Sequence, residues 1–393
     1  MTGSFARIVG AVSVWHVAAS MCYYALYVAT PYLREGFGAS HTEVGIVLGV
    51  LSAGYAIALL PVGALMDVHG ERRALLVGLA GLSIGTAAIA LAPTFAILLP
   101  VAFGVGALYA TASPGTTRAI LVRVPAERRN LGMGIKQVGV TAGSAGSALV
   151  LTWFAGTQFG WSGGLLAVAA LGIGVTLAFA LTYPTVAVGG ERSVPSFRGL
   201  LRLPAYRLLV VAGIFLGAMG YTTTGYAVLY LTEDVLLAVG LAGVVLAGAQ
   251  ASGSVGRVAS GWLADALSGP AWHRTLGILL VQTILAAVLL FWLPIAETTI
   301  GVALAFVAAG FFALGLGGIY FSAVGALVPE TETGSASAAA QLTLTLGGLV
   351  GPPAFGILVD ASGYAAGWRL LAFCGVVSAA LLIGAYLVAG RQP

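Results

Sequence analysis

Polar side chains recur along one face of the first hydrophobic segment of the chain. Ser13, His16, Ser20, Tyr23 and Tyr27 follow one another at spacings of three and four residues. Because residues three and four apart share a face of an α-helix, all five would line up on one side. Polar groups inside a bilayer are costly and usually face a protein interior or a wet cavity. The spacing indicates a solute-facing helix, although bonding to neighbouring helices would produce the same line.

Hydroxyl, phenol and amide groups also recur in later hydrophobic segments, where they are further candidates for solute binding. Tyr109 lies in the fourth segment, Tyr226 in the seventh, Gln250 in the eighth and Gln341 in the eleventh. Each could instead hydrogen-bond to a neighbouring helix and touch no solute. Both interpretations stay open at these positions.

Basic side chains within the segments would influence the charge of a solute. Lys136 is the only lysine among 17 lysines and arginines, and it lies about 10 Å inside the fifth segment at 1.5 Å per residue. It could hold an anion, or its long stem could carry the ammonium to the bilayer surface. Arg118 is a second candidate for binding an anion. His16 could carry a proton at physiological pH or could bond to a neighbouring helix.

Acidic side chains lie at the ends of the hydrophobic segments rather than in their middles. Asp67, Asp265 and Asp360 are at segment ends and Glu43 is at a segment start. Exporters of cationic compounds usually need a carboxylate in mid-membrane. The distribution of acids therefore favours an anionic or a neutral solute.

Composition shows which elements must hold these side chains. Hydrophobic residues make up 59% of the chain and charged residues 8%, whereas ordinary soluble domains are about 25% charged. The chain divides into about twelve apolar stretches, each of about the 20 residues that span a bilayer. Continuous runs of this length exclude a β-barrel. They fall near residues 8–33, 43–65, 74–93, 95–117, 130–154, 163–183, 208–231, 238–263, 276–294, 299–323, 336–359 and 368–389.

The distribution of arginines predicts the orientation of the chain. With the N-terminus inside, thirteen arginines fall in or beside cytoplasmic segments, and only Arg34 and Arg369 fall outside. This asymmetry satisfies the positive-inside rule and predicts that both termini are cytoplasmic. We expect a multi-pass protein of the plasma membrane. The net charge of +4 therefore reflects topology and does not support binding to nucleic acid.

The chain also repeats itself. A Gly-x-Leu-x-Asp sequence ends at Asp67 and returns 198 residues later at Asp265, and Gln137 and Gln341 are 204 residues apart. The longest polar stretch lies between the sixth and seventh segments. The repeat predicts two six-helix bundles, residues 1–183 and 208–393, joined by a cytoplasmic linker at residues 184–207.

The loop after the second segment carries a family motif. Gly63, Asp67, Gly70 and Arg72 match the pattern Gly-x-x-x-Asp-Arg-x-Gly-Arg-Arg, with Arg73 directly after it, although Val68 and Glu71 depart from it. With the twelve segments and the repeat, this motif makes the chain resemble the major facilitator superfamily over essentially its whole length. The fourth segment has Pro100 where proton-coupled drug exporters of that family often carry an arginine.

The resemblance implies two pseudo-symmetric six-helix bundles and alternating access. It implies that segments 1, 4, 7 and 10 line the solute cavity, which adds Tyr320 to the candidates. It also implies that the aspartates ending the second and eighth segments lie near helix starts in the other half. We assign to gating Asp67, Arg72, Arg73, Arg128, Arg129, Arg257 and Asp265.

Other functional classes receive less support from the residues. No cluster of catalytic type occurs in the segments, so an enzyme is not predicted, and no glycine loop for nucleotide phosphates is present. Cys22 and Cys374 both lie inside segments, so we expect neither a disulfide nor a metal site. We expect no cofactor, no nucleic-acid partner and a functional monomer.

Together these observations predict a secondary transporter for a small organic solute, with the lipid bilayer as its surroundings. The favoured solute is an organic anion such as a monocarboxylate, with proton coupling as an open possibility. The alternative is efflux of a neutral or weakly polar small molecule.

Overall fold

A computed structural model describes residues 2–125, 128–184 and 199–390. Most of the predicted linker, including Arg192 and Arg198, lies outside these residues. The side chain of Asp67 is also outside the description. Across the described ranges the secondary structure is helical and no strand occurs.

Fifteen α-helices are present in the described part of the chain. They are α1 (Thr2–Val28), α2 (Thr30–Phe37), α3 (His41–His69), α4 (Glu71–Ala90), α5 (Phe95–Tyr109), α6 (Ala112–Arg123), α7 (Arg129–Ala155), α8 (Gly160–Thr182), α9 (Pro204–Glu233), α10 (Val239–Ala266), α11 (Ala271–Trp292), α12 (Thr299–Ala309), α13 (Leu316–Leu327), α14 (Thr333–Ser362) and α15 (Tyr364–Ala389). Short 3-10 turns occupy Leu200–Arg202, Leu293–Ile295 and Glu330–Glu332, and a π-helical turn occupies Gly310–Leu314.

The prediction of twelve transmembrane segments is confirmed. Twelve spans in the described residues are long and apolar enough to cross a membrane, and they range from 20 to 33 residues. The fourth span combines α5 with α6, and the tenth combines α12, the π-helical turn and α13.

The first span is shorter than its predicted range of residues 8–33. It ends at Val28, and a separate helix α2 begins at Thr30. Pro31 lies at the second position of α2. Because proline has no backbone N–H, Pro31 cannot donate to the carbonyl four residues before it, and the helical hydrogen-bond ladder is interrupted here.

The described chain forms two compact units. Unit 1 contains residues 1–37, 50–194 and 238–247, and unit 2 contains residues 38–49, 195–237 and 248–393. The change from one unit to the other at residue 195 falls inside the predicted linker. The units differ from the predicted six-helix halves in two short segments, 38–49 and 238–247.

Glycines let the central helices of each unit pack closely. In unit 1, α7 runs along α1, and a Cβ added at Gly143 would lie 2.5 Å from Ser20 Cβ. In unit 2, α14 runs along α9, where Gly347 lies directly against the backbone of Ile214. Small residues at such contacts allow the backbones of membrane helices to approach each other.

Two inter-helix corners depend on a left-handed backbone. Gly70, between α3 and α4, and Gly363, between α14 and α15, both have φ of 80°. Residues with a Cβ rarely adopt this conformation, whereas glycine does so at no steric cost. Gly70 is one of the glycines of the motif after the second span.

Candidate functional site

Lys136 lies inside unit 1 and is bonded only to neutral groups there. Its side chain is 1% exposed, and Nζ donates to Thr116 Oγ1 at 3.1 Å and to Thr117 Oγ1 at 2.9 Å. Both threonines are on α6. The described residues provide no carboxylate partner for this ammonium group. A buried charge without an opposite charge is costly.

The polar face predicted for α1 runs beside the helix that carries Lys136. Gly139, one turn beyond Lys136 on α7, packs against His16, whose side chain is 2% exposed. Ser13, one turn before His16, has a buried Oγ without a hydrogen-bond partner in the described chain. Ser20 Oγ lies 3.0 Å from Tyr109 OH. The structure therefore brings polar groups of α1 and α5 and the cation of α7 into one unit.

The tyrosines of unit 1 pack against one another in a cluster. Tyr23 stacks on Tyr109 with a centroid distance of 4.0 Å and an interplanar angle of 12°. Tyr55 packs edge-on against Tyr109 at 5.4 Å, and Tyr24 packs edge-on against Tyr23 at 5.2 Å. Tyr27 OH lies 3.5 Å from Tyr23 OH. Aromatic pairs of this kind stabilise helix packing.

Arg118 has a carboxylate neighbour, in contrast to Lys136. Arg118 Nε lies 3.9 Å from Glu71 Oε2, and Glu71 is buried. Arg123 donates to Glu71 Oε1 through Nε at 2.9 Å and Nη2 at 2.7 Å. The guanidinium of Arg123 also lies 4.6 Å from the ring centroid of Tyr183. Burial raises the pKa of the Tyr183 phenol, so its OH remains a donor, and it lies 3.4 Å from Glu71 Oε1.

The basic residues assigned to gating in unit 1 contact groups of the same unit. Arg72 donates to the carbonyls of Tyr183 at 3.0 Å and Ala180 at 2.6 Å, at the end of α8. Cations are favourable at the C-terminal end of a helix. Arg73 is exposed. Arg129 Nε donates to the Val124 carbonyl at 3.1 Å, and the Arg128 guanidinium lies 5.5 Å from the ring centroid of Phe5.

The aromatic candidates of unit 2 bind neighbouring helices. Tyr226 OH lies 2.6 Å from the His41 carbonyl oxygen and 3.2 Å from that of Pro352. Tyr320 OH lies 3.2 Å from Thr343 Oγ1. Both tyrosine side chains are fully buried.

The amide and charged candidates of unit 2 lie on α10 and α14. Gln250 Nε2 donates to Thr224 Oγ1 at 3.4 Å, and Gln341 Nε2 donates to Thr345 Oγ1 at 3.4 Å. Arg257 Nε donates to the Leu314 carbonyl at 3.1 Å, at the end of the π-helical turn. Asp265 is exposed near the end of α10.

A family model described as the Major Facilitator Superfamily matches residues 12–352. The chain belongs to this superfamily. It is a multi-pass integral membrane protein with the helical architecture predicted from its sequence, and the resemblance seen in its motifs is confirmed.

Curated relatives within the superfamily carry transporter names. Monocarboxylate transporter 13 of Bos taurus is 31% identical over 284 residues, which are 70% of this chain and 61% of that protein. The match thus spans less than two thirds of this relative's length. The hexuronate transporter of Bacillus subtilis (strain 168) is 23% identical over 91% of this chain and 89% of its own. The relatives are transporters rather than enzymes, in agreement with the prediction that the chain is not an enzyme.

A solved structure with the superfamily fold superposes on nearly the whole chain. A bacterial homologue of the human lysosomal transporter Spinster, in an inward-facing and occupied conformation, has a TM-score of 0.81 and 18% identity. The match covers 99% of this chain and 97% of that chain. At this identity the similarity shows the fold alone.

Several residues beside the predicted sites were missed in the sequence. Thr116 and Thr117 hold Lys136, Tyr55 completes the tyrosine cluster, and Glu71 binds two arginines. Glu71 had a usable signal, because it replaces a residue that is commonly arginine in the superfamily motif. Thr116 belongs to a line of polar residues in the fourth segment, but a single hydroxyl is a weak signal, since in a membrane helix it usually bonds to its own helix.

Proposed function

We propose that this chain is a secondary transporter that moves a small organic anion, such as a monocarboxylate, across the plasma membrane by alternating access. The observation that carries the proposal is the environment of Lys136. Its ammonium group is 1% exposed and meets two threonine hydroxyls. A carboxylate would supply the negative charge that these neutral acceptors lack.

The chemistry of the relatives supports the same class of solute. Their names include monocarboxylate, hexuronate and galactonate transporters, and all three names denote carboxylates. The placement of the acids points the same way, because Asp67, Asp265 and Asp360 lie at span ends. A cationic solute would find no carboxylate beside Lys136 in the described part of unit 1.

Arg257 is a second basic side chain well inside a span. It lies nine residues before the end of α10, where Nε donates to the Leu314 carbonyl. We assigned it to gating from the sequence, and its depth also makes it suitable for attracting an anion. It is therefore tested beside Lys136.

Thermal stabilisation of the purified protein tests the proposal. The ligand panel contains lactate, glucuronate and galactonate, with uncharged sugars and organic cations for comparison. A ligand at about 100 times its Kd stabilises the protein by about 2.7 kcal/mol. We expect the carboxylates to raise the Tm of the wild type and to lose this effect in Lys136→Met. Lys136→Arg keeps the charge and should retain part of the shift.

Two further variants separate a binding role from general damage. Arg369→Gln removes an exposed cation and should leave every ligand shift unchanged, whereas Arg257→Gln tests the second cation. Stabilisation by uncharged compounds that persists in Lys136→Met would refute the anion proposal. It would favour efflux of a neutral or weakly polar molecule instead.

Orientation, oligomeric state and gating are further inferences from the sequence. We infer that both termini are cytoplasmic and that the monomer is functional. If transport is coupled to a proton, His16 or the solute itself would carry it. We also infer that the aspartates ending the second and eighth spans help to close the cytoplasmic side. Unchanged turnover and unchanged cytoplasmic accessibility in Asp67→Asn would contradict that gating role.

A further inference from the structure

The first turn of α3 is held by side chains from three other helices of unit 2. Residues 38–49 belong to this unit. Gly45 lies directly against the backbone of Pro352, and a Cβ added at Gly49 would lie 2.8 Å from the Leu349 carbonyl oxygen. His41, the first residue of α3, is at the centre of this contact.

Asp360 of α14 accepts hydrogen bonds on both of its oxygens. Oδ1 lies 3.1 Å from the His41 backbone nitrogen and 2.7 Å from His41 Nδ1. Oδ2 accepts from the Thr42 backbone nitrogen at 2.8 Å and from Thr42 Oγ1 at 2.6 Å. An ionised carboxylate has about four acceptor positions and no hydrogen to donate. Three donors that are independent of the ring already face Asp360, namely the backbone nitrogens of His41 and Thr42 and the Thr42 hydroxyl. An ionised Asp360 acts only as an acceptor, so Nδ1 carries a hydrogen.

The other ring nitrogen of His41 faces a second carboxylate. Nε2 lies 2.8 Å from Glu233 Oε2, and Tyr364 OH lies 2.7 Å from the same oxygen and 3.1 Å from Nε2. A neutral imidazole has one hydrogen, and Asp360 has already engaged it at Nδ1. A hydrogen bond between Nε2 and Glu233 therefore needs one more proton, on the ring or on the carboxyl group.

We propose that His41, Glu233 and Asp360 form a proton-binding site that fastens the first turn of α3 to unit 2. The bound proton lies between His41 Nε2 and Glu233 Oε2. Its loss leaves a nitrogen lone pair facing a carboxylate and removes the bond from the imidazole to α9. The hydrogen bonds of His41 and Thr42 to Asp360 remain, so the start of α3 stays joined to α14. Glu233, at the C-terminal end of α9, loses its hydrogen bond to His41.

Other titratable groups lie near the site in the described part of the chain. Tyr226 OH bonds to the His41 carbonyl, and Glu43 accepts from the Ser40 backbone nitrogen at 2.8 Å. Tyr364 shares Glu233 with His41. Asp234 follows Glu233 in the chain, and burial raises its pKa. His41 is 13% exposed in this setting, so the site remains open to protons from solution.

Hydrogen–deuterium exchange of the purified full-length protein tests the proposal without any solute. The peptide that covers residues 38–49 is followed at about pH 5.5 and about pH 9.5, on either side of the range where imidazoles commonly titrate. Exchange is expressed relative to the intrinsic rate at each pH. Because the bound proton adds a hydrogen bond to a charged group, we expect about tenfold or stronger protection at the lower pH.

Variants then identify the group that responds to pH. His41→Gln should abolish the pH difference in this peptide, and Glu233→Gln should reduce it. His273→Gln, which removes an exposed histidine of the same unit, should leave the difference intact. A wild-type peptide with equal protection at both pH values would overturn the proposal, and so would a pH difference that survives in His41→Gln. Failure of carboxylates to bind would leave this result unaffected.

Discussion

At the scale of single residues, the ion pair between Glu71 and Arg123 can be tested most directly. Its carboxylate meets the guanidinium of Arg123 at 2.7 Å, with 9% of each side chain exposed. Removal of one partner from a buried pair costs about 3–5 kcal/mol, because the other charge is left without compensation. We expect Glu71→Gln to lower the Tm of the purified protein clearly, as measured by intrinsic fluorescence during heating.

The cause of that loss can be isolated with two further variants. Glu35→Gln removes an exposed carboxylate of the same unit and should leave the Tm within about a degree, because surface substitutions usually change stability by less than about 0.5 kcal/mol. The pair Glu71→Gln with Arg123→Gln should recover part of the lost stability. A double variant as unstable as the sum of the two single ones would show that the residues do not act as a pair.

The same scale shows where sequence reasoning reached its limit. The position of Lys136 inside a helix follows from counting residues, whereas its contacts with Thr116 and Thr117 depend on how α6 meets α7. His41 was missed because it lies at a span start, where a histidine is usually solvated. Its two carboxylate partners come from helices about 190 and 320 residues away, and no local pattern predicts such a meeting.

At the scale of helices, the contact between α1 and α7 depends on a missing side chain. A Cβ at Gly143 would lie 2.5 Å from both Ser20 Cβ and the Val17 carbonyl oxygen. Because these atoms belong to the closely packed helix α1, the helices must separate to make room. We expect Gly143→Ala to lower the Tm and to reduce the yield of folded protein in size-exclusion chromatography.

Gly134 provides a matched control on the same helix. A Cβ there would meet nothing within 4 Å, and alanine is favoured over glycine in a helix interior by about 1 kcal/mol. Gly134→Ala should therefore keep or raise the Tm. Equal losses in both variants would mean that the packing of α1 against α7 is not the cause.

Hydropathy predicted that each membrane helix exists, but it did not predict every place where a helix is interrupted. All twelve spans are present, because a run of about 20 apolar residues has few alternatives to a membrane helix. The break between α1 and α2 lies within an apolar run that reads as continuous, although Pro31 marks it. The π-helical turn at Gly310–Leu314 also has no hydropathy signal, since every residue in it is apolar or glycine.

At the scale of the whole molecule, the orientation of the chain can be tested directly. The arginine distribution predicts a cytoplasmic C-terminus, so a green fluorescent protein fused after Pro393 should be fluorescent. Alkaline phosphatase at the same place should be inactive, because that enzyme folds only outside the cytoplasm. The reverse pair of results would invert the topology and move the proton-binding site of His41 to the cytoplasmic side.

Two long helices are shared between the units. The helix α3 belongs to unit 2 up to Gly49 and to unit 1 from Val50. The helix α10 belongs to unit 1 up to Ala247 and to unit 2 from Gly248. A gene divided at the linker would encode two polypeptides, and neither would contain all of one unit. The N-terminal polypeptide would lack residues 238–247 of unit 1, and the C-terminal polypeptide would lack residues 38–49 of unit 2. A cell would therefore have to synthesise both polypeptides together. Neither polypeptide alone would serve as an immunogen or a screening target that represents the native protein.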